Sequence, residues 1–473
     1  MDALINYIKK QGYNIGNLTI GESLEIAKEL QVRVSDVVIA EAMHENALSR
    51  EEVKASVQAA FRHNLYATEI GLTSSSSFLL GQVPQELAAD DFANRLFEDD
   101  LVNRILVYTL GAQVGNHTCG LEPCAGTGDS CTYSGLYRAF QETIVDEDEL
   151  FRVSSVILKI GTIFRAGKTT TGCNMEGFGA GAAATAAAMV EMKKGSPESM
   201  NKAIVLALSP TIGNPCTPRV MVAGLCSTHI GGGVIIGNLA ANLALKTNIP
   251  VNVPADVMIA MAAAVHSVSA KSIVPVVIEY MHPFFKTNLE VEAFIEQNIK
   301  DKEQDAIDKT MQVAIEKARE LAKKANSIVK PFGDAVVGGS SQAVGSPTNT
   351  GRIAHDLAKG EITGVKIELY PELFARRGIN VPGILMGAVL GAGTDDSKAY
   401  KEIMQIMREK KIKVEIVEVN EPQLQRVTVY AAEQNSMVEA LNRGGARLVL
   451  KKAVPSVDAA SEVAKKLGIV LVD

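Results

Sequence analysis

From Val220 to Leu245 the chain carries no Asp, Glu, Lys or Arg. An uncharged run of that length is long enough to cross a bilayer as a helix. It also holds Cys226, His229, the Gly231-Gly232-Gly233 run, Asn238 and Asn242, which suit a packed protein interior better than lipid. The expected element is therefore a buried helix inside a large core. Its neighbours share the texture. From Phe92 onward, long apolar stretches alternate with Gly- and Cys-bearing loops, and no stretch shows the period-2 alternation of a half-buried strand. GAGAAATAAAMVEM (179–192) is Ala-rich and helix-prone, and Ala255–Val268 is a further apolar helical run.

Residues 1 to about 70 read as helices, with apolar positions three and four apart and a capping box of Ser49 with Glu52. Thr73–Phe78 (TSSSSF) reads as a polar loop. Residues 289–325 are charge-dense and helical, the pattern of a solvated helix face. After Pro331 the texture changes. GVKIELYPEL, VPGILMGAVLG, KVEIVEV and QRVTVYAA read as β-rich segments between helices such as SKAYKEIMQIMREKK. The expected organisation is multidomain: an all-α catalytic domain over 1–290, a charged helical connector over 291–330, and a smaller α/β (α+β) domain over 331–473.

Composition bounds the function. The 473 residues are 47% hydrophobic and 21% charged, an ordinary globular balance. A net charge of -7 offers no electrostatic reason to expect nucleic acid or an anionic membrane as partner. With no Trp and 5% aromatics, platforms for stacking bases are scarce. The opening MDALINYIKKQGYNIG lacks an apolar signal region, so a cytoplasmic location is expected.

All 6 cysteines lie between Cys119 and Cys226. In a cytoplasmic chain such clustering points to metal or catalysis rather than disulfides. Three segments carry five of them, and Cys119 immediately precedes the first. GLEPCAGTGDSC (120–131) is a Gly- and Pro-bearing loop able to bring backbone N–H groups to an anion, though structural turns look similar. TGCNMEGFGAG (171–181) sets Cys173 before a helix opening, with Glu176 three residues on, where it could equally favour the helix dipole. NPCTPRVMVAGLC (214–226) adds Cys216 and Cys226. Cys173, Cys216 and Cys226 make three thiolate ligands, and a four-iron cluster held by three has an iron free for substrate. Zinc on three Cys with His229 or His117 is the alternative, although the spacings match no common finger. GTIFRAGKT (161–169) imitates a P-loop, but five residues separate Gly161 from Gly167 where four are needed. No nucleotide site is expected there.

These segments, in this order, resemble the α part of iron–sulfur L-serine dehydratases. Pro123-Cys124-Ala125-Gly126-Thr127 looks like the family's Pro-Thr-Ala-Gly-Ser-type loop. Gly172-Cys173-Asn174-Met175-Glu176 looks like its Gly-Cys-Gln-x-Glu helix start, and Cys216-Thr217-Pro218 with Cys226 looks like its cysteine pair. GSPTNTGRIAHDLAKG (345–360) is more loosely similar to a segment of the family's β part. The departures are Cys124 in place of Thr, a cysteine pair one residue closer, and two β-part motifs without their His: Ser346–Gly351, and the stretch Arg377–Pro382.

The resemblance implies an oxygen-sensitive lyase that turns a small 2-amino or 2-hydroxy acid, above all L-serine, into pyruvate and ammonia. It implies a [4Fe–4S] cluster on Cys173, Cys216 and Cys226, no pyridoxal phosphate, and a homodimer. Candidate proton acceptors are Glu176, His117 and His229. Candidate substrate contacts are Pro123, Cys124, Ala125, Gly126, Thr127 and Ser130, with Thr348, Asn349 and Thr350 from the β-like part. The lost His residues keep open threonine, a cysteine-like thiol or a hydroxy acid as substrate, or a non-catalytic iron–sulfur sensor.

Overall fold

The structure is a computed structural model describing residues 2–121, 129–166, 175–214, 225–285, 287–324, 329 and 345–473. The chain divides into two compact units, Met1–Glu320 and Leu321–Asp473.

The first unit is helical. In chain order it comprises α1 (Asp2–Lys10), α2 (Ile20–Leu30), α3 (Val34–Asn46), α4 (Arg50–Thr73), α5 (Val83–Phe92), α6 (Asp100–Cys119), α7 (Asp129–Thr143), α8 (Glu147–Ala166), α9 (Gly181–Met192), α10 (Pro197–Leu208), α11 (Leu225–Lys246), α12 (Ala255–Met281) and α13 (Leu289–Glu292). α14 (Gln297–Lys324) is the charge-dense helix, and the division falls within it. A π-helical turn, Met175–Ala180, runs directly into α9.

Local chemistry sets these boundaries. Ser49 caps α4 as expected: its N–H donates to Glu52 Oε2 at 2.8 Å, while Glu52 N donates back to Ser49 Oγ at 3.3 Å. Thr19 and Glu22 build the same box on α2. Small residues then let the helices approach backbone to backbone. A Cβ added at Gly237 of α11 would stand 2.6 Å from Ala182 O of α9, so the two helices can touch only with glycine there. The core runs from Ile26 and Phe61 through Phe140, Ile157 and Ile160 to the Ala-rich face of α9.

α11 is the uncharged helix expected from the sequence, but only one side of it is buried. Ile230, Val234 and Ala241 are buried, whereas Leu239 is 57% exposed. Among the described residues, Ser227–Lys246 is long and apolar enough to cross a membrane by length and composition. So is the bent pair Ala255–His266 and Val268–Phe284.

The second unit contains α15 (Gly345–Leu357), β1 (Ile362–Leu369), α16 (Pro371–Ala375), α17 (Arg377–Leu390), α18 (Ser397–Glu409), β2 (Lys413–Glu418), β3 (Leu424–Ala431), β4 (Ser436–Asn442), β5 (Leu448–Val454) and α19 (Val457–Lys466). Its sheet has the order β2-β1-β3-β4-β5, with β1 parallel to β2 and the remaining pairs antiparallel. Observed helices followed by a mixed sheet match the expected all-α then α/β class.

One segment corrects the sequence reading. VPGILMGAVLG, read as β-rich, lies in helix α17, with Pro382 inside it. A short apolar run has no period that separates a buried strand from a buried helix. Here packing decides: Gly351 of α15 would place a Cβ 2.8 Å from Ile384 O, and Ile384, Leu385, Met386 and Ala388 are buried together.

Candidate active site

The described ends of the cysteine-bearing segments gather in the first unit. The π-helical turn packs against α7, α8, α9 and α11, and α11 packs against α6 and α7. Phe178 of the turn meets His229 of α11 at 4.7 Å between ring centroids. Gly232, one turn further along α11, keeps this contact open, because a Cβ there would reach Phe178 at 3.3 Å. π-helical turns joined to α-helices often mark functional positions, and this one, at the start of α9, carries Glu176.

Pro123, Cys124, Ala125, Gly126 and Thr127 lie outside the described residues, as do Cys173 and Cys216. Glu176 holds the second position of the π turn and Cys226 the second position of α11; their side chains lie outside the described set. His229 follows Cys226 by one helical turn, so the two share a face of α11. Ser130 is buried at the start of α7. Among the described residues, no group of three His, Cys, Asp or Glu is placed to hold a metal ion.

A polar chain that the sequence did not reveal runs beside this region. Cys131 Sγ donates to Gln113 Oε1 at 3.0 Å, and Gln113 Nε2 lies 2.6 Å from His117 Nε2. On the other side of the ring, His117 Nδ1 lies 3.0 Å from Ser77 Oγ. Ser77 also accepts from Leu79 N and Leu80 N, so the chain ties the loop after α4 to α6 and α7. Both His117 nitrogens are thereby engaged, which suits a positioning role better than direct proton abstraction. The only hint in the sequence is that Gln113 and His117 are four apart on one helix, inside a stretch that reads as apolar core.

Desolvation lowers the His117 pKa below its ordinary 6.5. The folded value lies below the unfolded one, so the folded state binds fewer protons and loses stability as pH falls through 6.5 toward the folded value. A His117→Gln chain is expected to remove that dependence. Melting curves at several pH values should then show the wild-type penalty growing below pH 6.5 and absent at about pH 8.

Thr348, Asn349 and Thr350 belong to the second unit, where all three are buried in α15. Asn349 Nδ2 donates to Ala446 O at 3.1 Å, and Thr350 Oγ1 accepts from Gln425 Nε2 at 2.7 Å. Asn349 thus ties α15 to the β4–β5 turn and Thr350 ties it to β3, while the buried Thr348 Oγ1 has no hydrogen-bond partner among the described residues.

Comparison with known proteins bears on the same segment. Residues 135–274 match the family described as Serine dehydratase alpha chain. Over 222 residues the chain is 26% identical to the "Probable L-serine dehydratase, alpha chain" of Bacillus subtilis (strain 168), a match covering 44% of this chain and 70% of that protein. The family match spans Cys173, Cys216 and Cys226 and ends before α13. Within its helical unit the chain is thus similar to the serine dehydratase alpha-chain family.

Proposed function

We propose that the chain is a [4Fe–4S]-dependent β-eliminating lyase with L-serine as substrate. The observation that most supports this is the packing of the π turn that follows Cys173 onto the turns of α11 that carry Cys226 and His229, within a stretch similar to serine dehydratase alpha chains. Cys173, Cys216 and Cys226 would hold the cluster. Three thiolates are one fewer than the usual four, which suits a catalytic centre with an open position. When bound, such a cluster supplies Lewis-acid polarisation at the substrate β-hydroxyl. Cys131 stands outside this set, because donating S–H to Gln113 needs the thiol form and a ligand is a thiolate.

The chain's own residues handle the proton and the carboxylate. His229 or Glu176, each three residues beyond a proposed ligand, takes the α-proton. The C–H electron pair becomes the Cα=Cβ bond and hydroxide leaves. The released 2-aminoacrylate tautomerises to an imine, and water hydrolyses it to pyruvate and ammonia. Backbone N–H groups of the 120s loop, with Thr127 and Ser130, grip the carboxylate. His117 holds the neighbouring loop in place. We assign the activity to the cytoplasm and to a homodimer.

Anaerobic purification with iron and sulfide analysis, followed at once by a pyruvate assay on L-serine, tests this reading. The expected protein is brown, holds about four irons and loses activity in air. A colourless chain without iron after anaerobic reconstitution would overturn it. A brown chain inactive on serine would move the assignment to threonine, a thiol or hydroxy acid substrate, or a sensor. His229→Gln is expected to lower kcat by about 10²–10⁴ while leaving iron content unchanged. An equal loss of iron would mark His229 as part of the cluster's support instead.

A further inference from the structure

A cavity of about 700 Å³ lies in the first unit among the 14–19 loop, α3, α4, α8 and the start of α12. That volume falls within the range of small-molecule sites. Its wall is largely aliphatic, with Ile39, Val57, Leu158 and Ile163 among the lining residues. Glu41, Glu45, Lys159 and Asp256 supply its charge.

The polar groups differ in what they have left to offer. Glu41, 5% exposed, accepts from Leu18 N at 2.8 Å and from Lys159 Nζ at 2.6 Å. Lys159 also donates to Leu18 O at 2.7 Å. An ammonium has three N–H groups, so one remains on Lys159. Both Asp256 oxygens are taken, by Gly21 N and by Thr19 Oγ1. Glu45 is exposed and has no ion-pair partner among the described residues. The cavity thus offers one spare donor on a cation, an exposed carboxylate on Glu45, a second, hydrogen-bonded carboxylate on Asp256 and an aliphatic surface.

We propose that this cavity binds an α-amino acid with a bulky apolar side chain. Its carboxylate accepts from the remaining Lys159 N–H, its ammonium pairs with Glu45, and its side chain covers the aliphatic wall. A simple carboxylic acid would meet Glu45 and Asp256 unpaired with any positive group of its own. A simple amine would leave the Lys159 donor unused. The cavity lies on α8, whose last residue, Ala166, is seven positions beyond Lys159, or roughly 10 Å along the helix. The inference is independent of the lyase reading.

Equilibrium dialysis of the full chain against L-leucine and L-phenylalanine tests it, with isoamylamine and 4-methylpentanoate as single-charge probes. The expected result is saturable 1:1 binding of at least one amino acid, and binding of both single-charge probes weaker by about tenfold or more. Two exposed positions give variants that should fold. Glu45→Lys is expected to weaken amino-acid binding by at least about tenfold, and Ala260→Trp, which fills the space at a lining residue, to abolish it. Circular dichroism melting confirms folding of each. Absence of saturable binding, binding unchanged in both variants, or an amine that binds as tightly as the amino acid would overturn the proposal.

Discussion

A Cys226→Ser chain, purified and reconstituted without air, is expected to hold less than about one iron where the parent holds about four. Pyruvate formation from L-serine should fall by at least about 10³-fold, because Lewis-acid catalysis supplies several kcal/mol and each 1.36 kcal/mol is about tenfold in rate. A serine hydroxyl stays protonated where a cysteine is held as thiolate, so it binds iron poorly. Cys173→Ser and Cys216→Ser should behave alike. Cys131→Ser should keep its iron, since the Cys131 thiol is already spent on Gln113. Iron and acid-labile sulfide, measured beside activity, separate the two groups. A Cys131→Ser chain that loses its cluster while Cys226→Ser keeps it would show that the ligand set is wrong.

Gly71→Ala is expected to be strongly destabilising for a single methyl. The added Cβ would overlap Gly111 O and lie 2.8 Å from Gly111 C, both backbone atoms of α6. Such a clash cannot be relieved by turning a side chain; α4 and α6 must separate. Overpacking costs typically 1–3 kcal/mol and sometimes more. Taking about 3 kcal/mol, the melting temperature should fall by roughly 4–5 °C for a unit of this size. Gly378→Ala meets nothing within 4 Å and is the control, expected to leave melting almost unchanged. Calorimetry on both variants checks the difference. Because α6 ends in Asn116, His117 and Cys119 beside the candidate site, a partly folded Gly71→Ala chain should also lose the His117 pH dependence.

The sequence by itself determined those features whose signals are local. Ser49 and Glu52 announce the start of α4, because a capping box is complete within four residues. The missing period-2 pattern between Phe92 and Leu245 announces helices, and alternation such as that of VKIELY announces β1. Two of the three cysteine segments, those with Cys173 and with Cys216 and Cys226, fall in the stretch that matches the serine dehydratase alpha-chain family, because residue type and order carry that likeness.

Tertiary structure alone decided the rest. VPGILMGAVLG is a helix because α15 offers a close-packed backbone against it, which no residue inside the run encodes. The chain from Ser77 through His117 and Gln113 to Cys131 joins a loop and two helices, so no window of sequence contains it. Thr348, Asn349 and Thr350 read as site residues by position; in the fold Asn349 donates to the β4–β5 turn and Thr350 accepts from Gln425 of β3. A residue type states which bonds a side chain can make. Which ones it makes depends on partners that packing brings from distant parts of the chain, because a buried polar group costs about 1–3 kcal/mol when left unpaired.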